Sequence, residues 1–104
     1  MKTPPKASKR KPTHPGALLR EDVLPAMTVT QGELAERIGV SRRSVNMVLN
    51  EKRPMTPDFA IRLGRLLNHD PQVWLRMQTA LDLWELEQHN AALYRGIAPM
   101  RAAA

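Results

Sequence analysis

A chain of 104 residues is enough for one domain with a modest core, and the absence of cysteine excludes disulfides and cysteine-ligated metal, which fits a reducing, cytoplasmic setting. It has no apolar run long enough to span a membrane, and the basic N-terminus is not followed by the apolar segment of a signal peptide. The net charge of +6 is unevenly placed: Lys2, Lys6, Lys9, Arg10 and Lys11 carry five of those six charges, and the nearly neutral remainder concentrates its positive charge at Arg42, Arg43, Lys52 and Arg53.

Residues 1–13 are rich in lysine and proline and read as a basic disordered arm, either a solubilising tail or a loose contact for phosphates. Pro15 then fits the first turn of a helix that carries Ala17, Leu18, Leu19, Val23 and Leu24, and Pro25 is expected to end it. Thr30 followed three residues later by Glu33 reads as a capping box. Leu34, Ala35 and Ile38 form one apolar face of the second helix, and Gly39 stops it. Ser41 caps the third helix, whose inward face is Val45, Val48 and Leu49. The short connection Gly39-Val40-Ser41, with its glycine, is that of a helix-turn-helix, and Ala35 leaves room for the two helices to cross closely.

With Val45, Val48 and Leu49 turned inward, the third helix presents Arg42, Arg43, Ser44, Asn46, Met47 and Asn50 outward. Arginine pairs bidentately with guanine and asparagine with adenine in the major groove, whereas Met47 can only meet a thymine methyl or fill space. Ser41, Ser44 and the free N–H groups of the helix start suit phosphate oxygens, and Lys52 and Arg53 follow where the backbone can be gripped. A localised basic patch on a nearly neutral body is the electrostatic pattern of a specific nucleic-acid face.

Thr56, Pro57 and Asp58 open a fourth helix with Ala60, Ile61, Leu63, Leu66 and Leu67 as its apolar side. Asp70 and Pro71 open a fifth and longest helix that runs to about His89. Around that helix Val73, Trp74, Met77, Ala80, Leu81 and Trp84 fill one broad arc, and Leu75 with Leu86 form a second strip. Two strips and two tryptophans predict a dimer interface built from Trp74, Leu75, Leu81, Trp84 and Leu86. No stretch alternates as a strand does, so the expected fold is all-α with five helices: an arm over 1–13, a helix-turn-helix domain over 14–89 and a tail over 90–104. His14, His69 and His89 lack metal-ligand spacing, and no phosphate-binding glycine loop, nucleophile elbow or paired catalytic carboxylate appears; the expectation is no metal, no cofactor and no enzyme.

Lys11-Pro12-Thr13-His14-Pro15-Gly16, the helix-turn-helix, Met55-Thr56-Pro57-Asp58-Phe59-Ala60-Ile61-Arg62-Leu63, Trp74-Leu75-Arg76-Met77-Gln78 and Leu81-Asp82-Leu83-Trp84 together resemble the HigA antitoxin family, part of the wider Xre, phage-repressor-like class. The resemblance covers residues 11–88, and the His-Pro-Gly lead-in and the tryptophan-bearing last helix are its more specific parts. Leu81 stands where that family often has tyrosine. The resemblance implies a homodimer that binds double-stranded operator DNA upstream of its own operon and a HigB toxin, a small RelE-like ribonuclease that cuts mRNA. By analogy with phage repressors, Gln31 would touch phosphate and brace Arg42, while Arg42, Arg43 and Met47 would face bases. The first helix, with Arg20, Glu21 and Asp22, is the expected toxin-facing surface. The alternatives are a phage-type repressor with no toxin partner and a protein-only neutraliser; Arg42 and Arg43 argue against the latter.

Overall fold

The chain builds its first helix from a three-residue device. His14 adopts an extended backbone as N-cap and its Nδ1 accepts from the Gly16 N–H at 2.8 Å. Pro15 takes the first helical position, where its missing N–H costs nothing. The computed structural model describes residues 10–101 and is all-helical there. Helix α1 (Pro15–Leu18) runs into a π-helical turn (Leu19–Val23) and on into α2 (Leu24–Met27). Then come α3 (Gln31–Ile38), α4 (Arg42–Leu49), α5 (Pro57–Leu67), α6 (Gln72–His89) and a short α7 (Ala91–Arg95). The five expected helices are present, the first as the α1–π–α2 stretch, and α7 adds a turn in what was expected to be tail. The disorder expected of the arm falls, for residues 1–9, outside the described residues, as do residues 102–104.

Pro25 does not end the first helical stretch. The helix passes through it to Met27. Proline inside an ordinary α-helix removes one hydrogen bond and clashes with the carbonyl four residues back. Here the preceding turn is widened: the Leu24 N–H donates to the Leu19 carbonyl, five residues back, and Pro25 falls at the start of the next α-helical turn. The stretch closes at Thr28, which is left-handed at φ 52°.

The caps behave as the sequence predicts. Thr30 Oγ1 accepts from the Glu33 N–H and Glu33 Oε1 accepts from the Thr30 N–H, both at 3.1 Å, which completes the capping box. Gly39 is left-handed at φ 73°, Ser41 Oγ accepts from the Ser44 N–H, and Thr56 Oγ1 accepts from the Phe59 N–H. At α6 the N-cap is Pro71, which offers no side-chain bond, and Asp70 Oδ1, one residue ahead of it, accepts from the Gln72 N–H at 2.9 Å.

Leu19, Leu34, Val45, Leu49 and Leu63 are fully buried and form one core with Leu24, Ile38, Met55, Phe59 and Trp74. Two glycines let elements approach closely. A Cβ on Gly16 would overlap the Val48 carbonyl oxygen of α4, and one on Gly64 would lie 2.7 Å from the His69 carbonyl oxygen. The His-Pro-Gly lead-in is thus a cap, a helix start and a contact point against the end of α4. Ile61, expected on the apolar side of α5, is half exposed, as is Val73 on α6.

Helix α6 braces the segment that follows α4. Gln78 is buried; its Oε1 accepts from the Met55 N–H and its Nε2 donates to Asp82 Oδ1, both at 2.8 Å. Trp74 Nε1 donates to His69 Nε2 at 2.7 Å, which satisfies the only polar atom of a core tryptophan. Gln78→Ala is expected to cost about 1–3 kcal/mol, because it leaves a buried backbone donor unpaired. Denaturant titration checks this, and a variant as stable as the parent contradicts it.

Candidate nucleic-acid interface

The helix-turn-helix is held from outside at both of its carbonyl ends. Arg62 on α5 donates from Nη1 to the Ile38 carbonyl at 2.7 Å and to the Gly39 carbonyl at 3.3 Å, and its Nε donates to Asp58 at 2.9 Å. It thus satisfies the last carbonyls of α3, which have no partner inside their own helix. Arg20 does the same for α4: its Nη1 donates to the Leu49 carbonyl at 2.6 Å and to Glu51 at 3.4 Å. Glu21, at 2.6 Å from Nη2, holds the Arg20 guanidinium above the usual arginine range, and Glu51 adds to this against partial burial. Arg20 therefore stays a cation at the C-terminal, negative end of α4 at every ordinary pH. Arg20 was expected as an exposed charge of a toxin-facing surface; it is half-buried and turned onto α4, leaving Glu21 and Asp22 exposed.

The outward face of α4 is largely the one the sequence predicts. Arg42, Arg43, Asn46 and Asn50 are exposed, while Ser44 and Met47 are half-buried beside them. Arg42 and Arg43 make no hydrogen bond or ion pair with any described residue. Ser41 and Ser44 bond each other at 3.0 Å, and Arg53 Nη1 donates to Ser44 Oγ at 3.3 Å, so Arg53 is drawn against the start of α4. Lys52 stands exposed at the other end of the helix, its N–H on the Met47 carbonyl at 2.8 Å.

Gln31 departs from expectation. Its Oε1 accepts from Asn46 Nδ2 at 3.3 Å, so it braces Asn46 and not Arg42. The Arg42 guanidinium lies over Gly32, the next residue of α3. The two side chains that cross from α4 to α3 therefore have separate seats. Gln31 opens α3 exposed, beside the first-turn N–H groups.

The expected dimer set divides. Trp74 and Leu81 are 2% and 3% exposed in the single chain. They belong to the protomer's own core and cannot face a second copy. A helical wheel places them on one arc but does not say whether that arc meets α1 and α5 or a partner. Leu75 is half-buried and packs against the same core, and Trp84 is half-buried. Leu86 is exposed, as are Leu83, which the sequence reading left out, and Leu93, Tyr94 and Ile97 on and after α7. Among the described residues no helix is long and apolar enough to cross a membrane.

The helix-turn-helix family profile matches residues 19–74, which runs from the π-turn to the start of α6. The Escherichia coli K12 protein described as HTH-type transcriptional regulator YbaQ is 38% identical over 84 residues, 81% of this chain and 74% of its own length. Antitoxin HigA-1 of Vibrio cholerae is 37% identical over 78 residues, 75% of this chain and 73% of that protein. Among solved structures, the Pseudomonas aeruginosa antitoxin HigA with the higBA promoter is 32% identical and superimposes with a TM-score of 0.81, covering 86% of this chain and 99% of that one. The chain belongs to the HigA-type antitoxins of the Xre-like helix-turn-helix family.

Proposed function

We propose that this protein is a DNA-binding antitoxin and autorepressor. It reads an operator upstream of its own operon through Arg42, Arg43 and Asn46 of α4, and it neutralises a HigB/RelE-like toxin that cleaves mRNA. The observation that carries the DNA half is the face of α4: two exposed arginines with no ionic partner among the described residues and a braced asparagine, on a helix whose opposite side is fully buried and whose C-terminal carbonyl is tied down by Arg20. The relative solved with its promoter supports the same half. Contacts sort by chemistry: Arg42, Arg43 and Asn46 toward base edges, Gln31, Ser41, Ser44, Asn50, Lys52 and Arg53 toward the phosphate backbone, with Met47 filling space against them. The antitoxin half rests on the likeness to the Vibrio cholerae and Pseudomonas aeruginosa proteins.

The two roles use different surfaces and can be separated. The chain carrying Arg42→Ala and Arg43→Ala should lose repression of a reporter under its own promoter, yet still protect cells that express the neighbouring toxin gene and still co-purify with the product. Loss of protection by a normally folded double variant would mean that both partners use one surface.

DNA readers of this size commonly act as dimers on two half-sites. The dimer surface in this reading is the exposed end of α6 with α7, centred on Leu83 and Leu86, which are 55% and 48% exposed. Leu83→Glu with Leu86→Glu is expected to yield a folded monomer, since each carboxylate would be buried unpaired in the interface but solvated in the free chain. Sedimentation at micromolar concentration distinguishes the outcomes. A monomeric parent, or a variant that remains dimeric, contradicts this interface.

A further inference from the structure

Gly32 is the second residue of α3, and nothing about its own backbone calls for glycine. Its φ is not in the left-handed region, which among the glycines is occupied only by Gly39. In such a position alanine is the better helix former. What a side chain at this position would meet explains the glycine. The three nearest heavy atoms to a Cβ on Gly32 all belong to one group, the Arg42 guanidinium: Nη2 at 2.8 Å, Cζ at 3.0 Å and Nε at 3.2 Å. That plane lies against the bare Cα of α3. Arg42 has no hydrogen-bond or ionic partner among the described residues, so the direction of its side chain is set by this contact and by its own rotamer preferences.

We infer that Gly32 is a positioning residue for Arg42: its missing side chain is the seat that holds the guanidinium across from α4 to the start of α3, on the face that meets DNA. The inference rests on the DNA-binding reading of α4 and adds to it a residue that touches no base itself. Its neighbour Gln31 holds Asn46 in the same way, by a hydrogen bond at 3.3 Å, so the first turn of α3 fixes two side chains of the reading face. An arginine held in one direction loses less freedom when it pairs with a base edge, and the advantage disappears once the seat is filled.

The consequences of filling the seat are specific because the obstructing atoms are the far end of a flexible side chain and not backbone. Gly32→Ala displaces Arg42 and leaves the packing of α3 on α4 intact. The test is a cycle of four proteins: the parent, Gly32→Ala, Arg42→Ala and the two combined. Each is titrated with a duplex taken from the DNA upstream of the chain's own gene and with a scrambled duplex, alongside thermal melts. Gly32→Ala is expected to melt at or above the parent's temperature, to bind the upstream duplex about three- to tenfold more weakly, and to add no further loss when Arg42 is already alanine. An equal loss in the Arg42→Ala background overturns the proposal, because Gly32 would then act on DNA directly. So does unchanged binding by Gly32→Ala when Arg42→Ala alone is weakened. If the parent does not prefer the upstream duplex at all, the DNA reading of α4 fails and the proposal fails with it.

Discussion

Gly16→Ala is expected to be the most damaging small substitution in the chain, with a loss of about 3 kcal/mol of stability. The added methyl group would overlap the carbonyl oxygen of Val48 and come within 2.8 Å of its carbon. Neither atom can move without shifting α4, whose Val45, Val48 and Leu49 are all packed in the core. The His14 side chain closes the third side, with Nδ1 at 3.1 Å. Ordinarily alanine in place of glycine stabilises a helix by about 0.5–1 kcal/mol, so a large loss here isolates the steric term. Gly32→Ala supplies the internal comparison, since it meets only the far end of the Arg42 side chain and no backbone. Thermal and denaturant unfolding of the two variants measure the difference. A Gly16→Ala chain as stable as the parent would mean that α1 and α4 are not in backbone contact.

The double change Arg42→Ala with Arg43→Ala is expected to have the largest effect on DNA binding. Each guanidinium that pairs with a guanine contributes roughly 1–3 kcal/mol of discrimination. That range corresponds to a loss of about five- to over a hundredfold per residue on the operator. The two residues are adjacent, so their effects need not add. Both side chains are exposed and make no ion pair with any described residue, so melting is expected to be unchanged. On a scrambled duplex the loss should be much smaller and should resemble that of Lys52→Ala, which weakens all sequences alike and lowers the salt slope by about one. Equal losses on both duplexes would reduce the arginines to phosphate contacts.

Features fixed by neighbours in sequence were legible in the sequence; features fixed across space were not. The capping box at Thr30 and Glu33, the left-handed Gly39, the caps at Ser41 and Thr56 and the inward set Val45, Val48 and Leu49 all stand in the structure as expected. Each depends on residues within one or two turns of one another. The π-turn before Pro25 was missed because proline is a strong stop signal, and only the widened turn, visible as the Leu24-to-Leu19 bond, explains its tolerance.

The ties that hold the candidate interface in place span 24 residues from Arg62 to Ile38, 29 from Arg20 to Leu49 and 23 from Gln78 to Met55. No local pattern marks those side chains. Arg62 reads as half of a surface pair with Asp58, and Arg20 as one charge in a charged run. Gln78 carried one usable signal, a polar residue on the arc shared by Trp74 and Leu81. Such a residue inside a core must find partners for both ends of its amide. The same arc is ambiguous about assembly. Apolar periodicity shows that a face is covered but not by what, and so Trp74 and Leu81, expected at a second copy, lie in the protomer's core.

Whether α4 reads a specific base sequence is decided by the unmodified protein. It is titrated at one fixed salt concentration with a duplex from the DNA upstream of its own gene and with a scrambled duplex of the same length and composition. Specific readers prefer their sites by about a thousandfold or more at physiological salt, and a preference of at least that order is expected here, with protection of a short pseudo-palindromic stretch in a footprint. Equal affinity for the two duplexes, falling in parallel as salt is raised, would mean that Arg42, Arg43 and Asn46 serve only as charge and polar surface and that α4 reads no sequence.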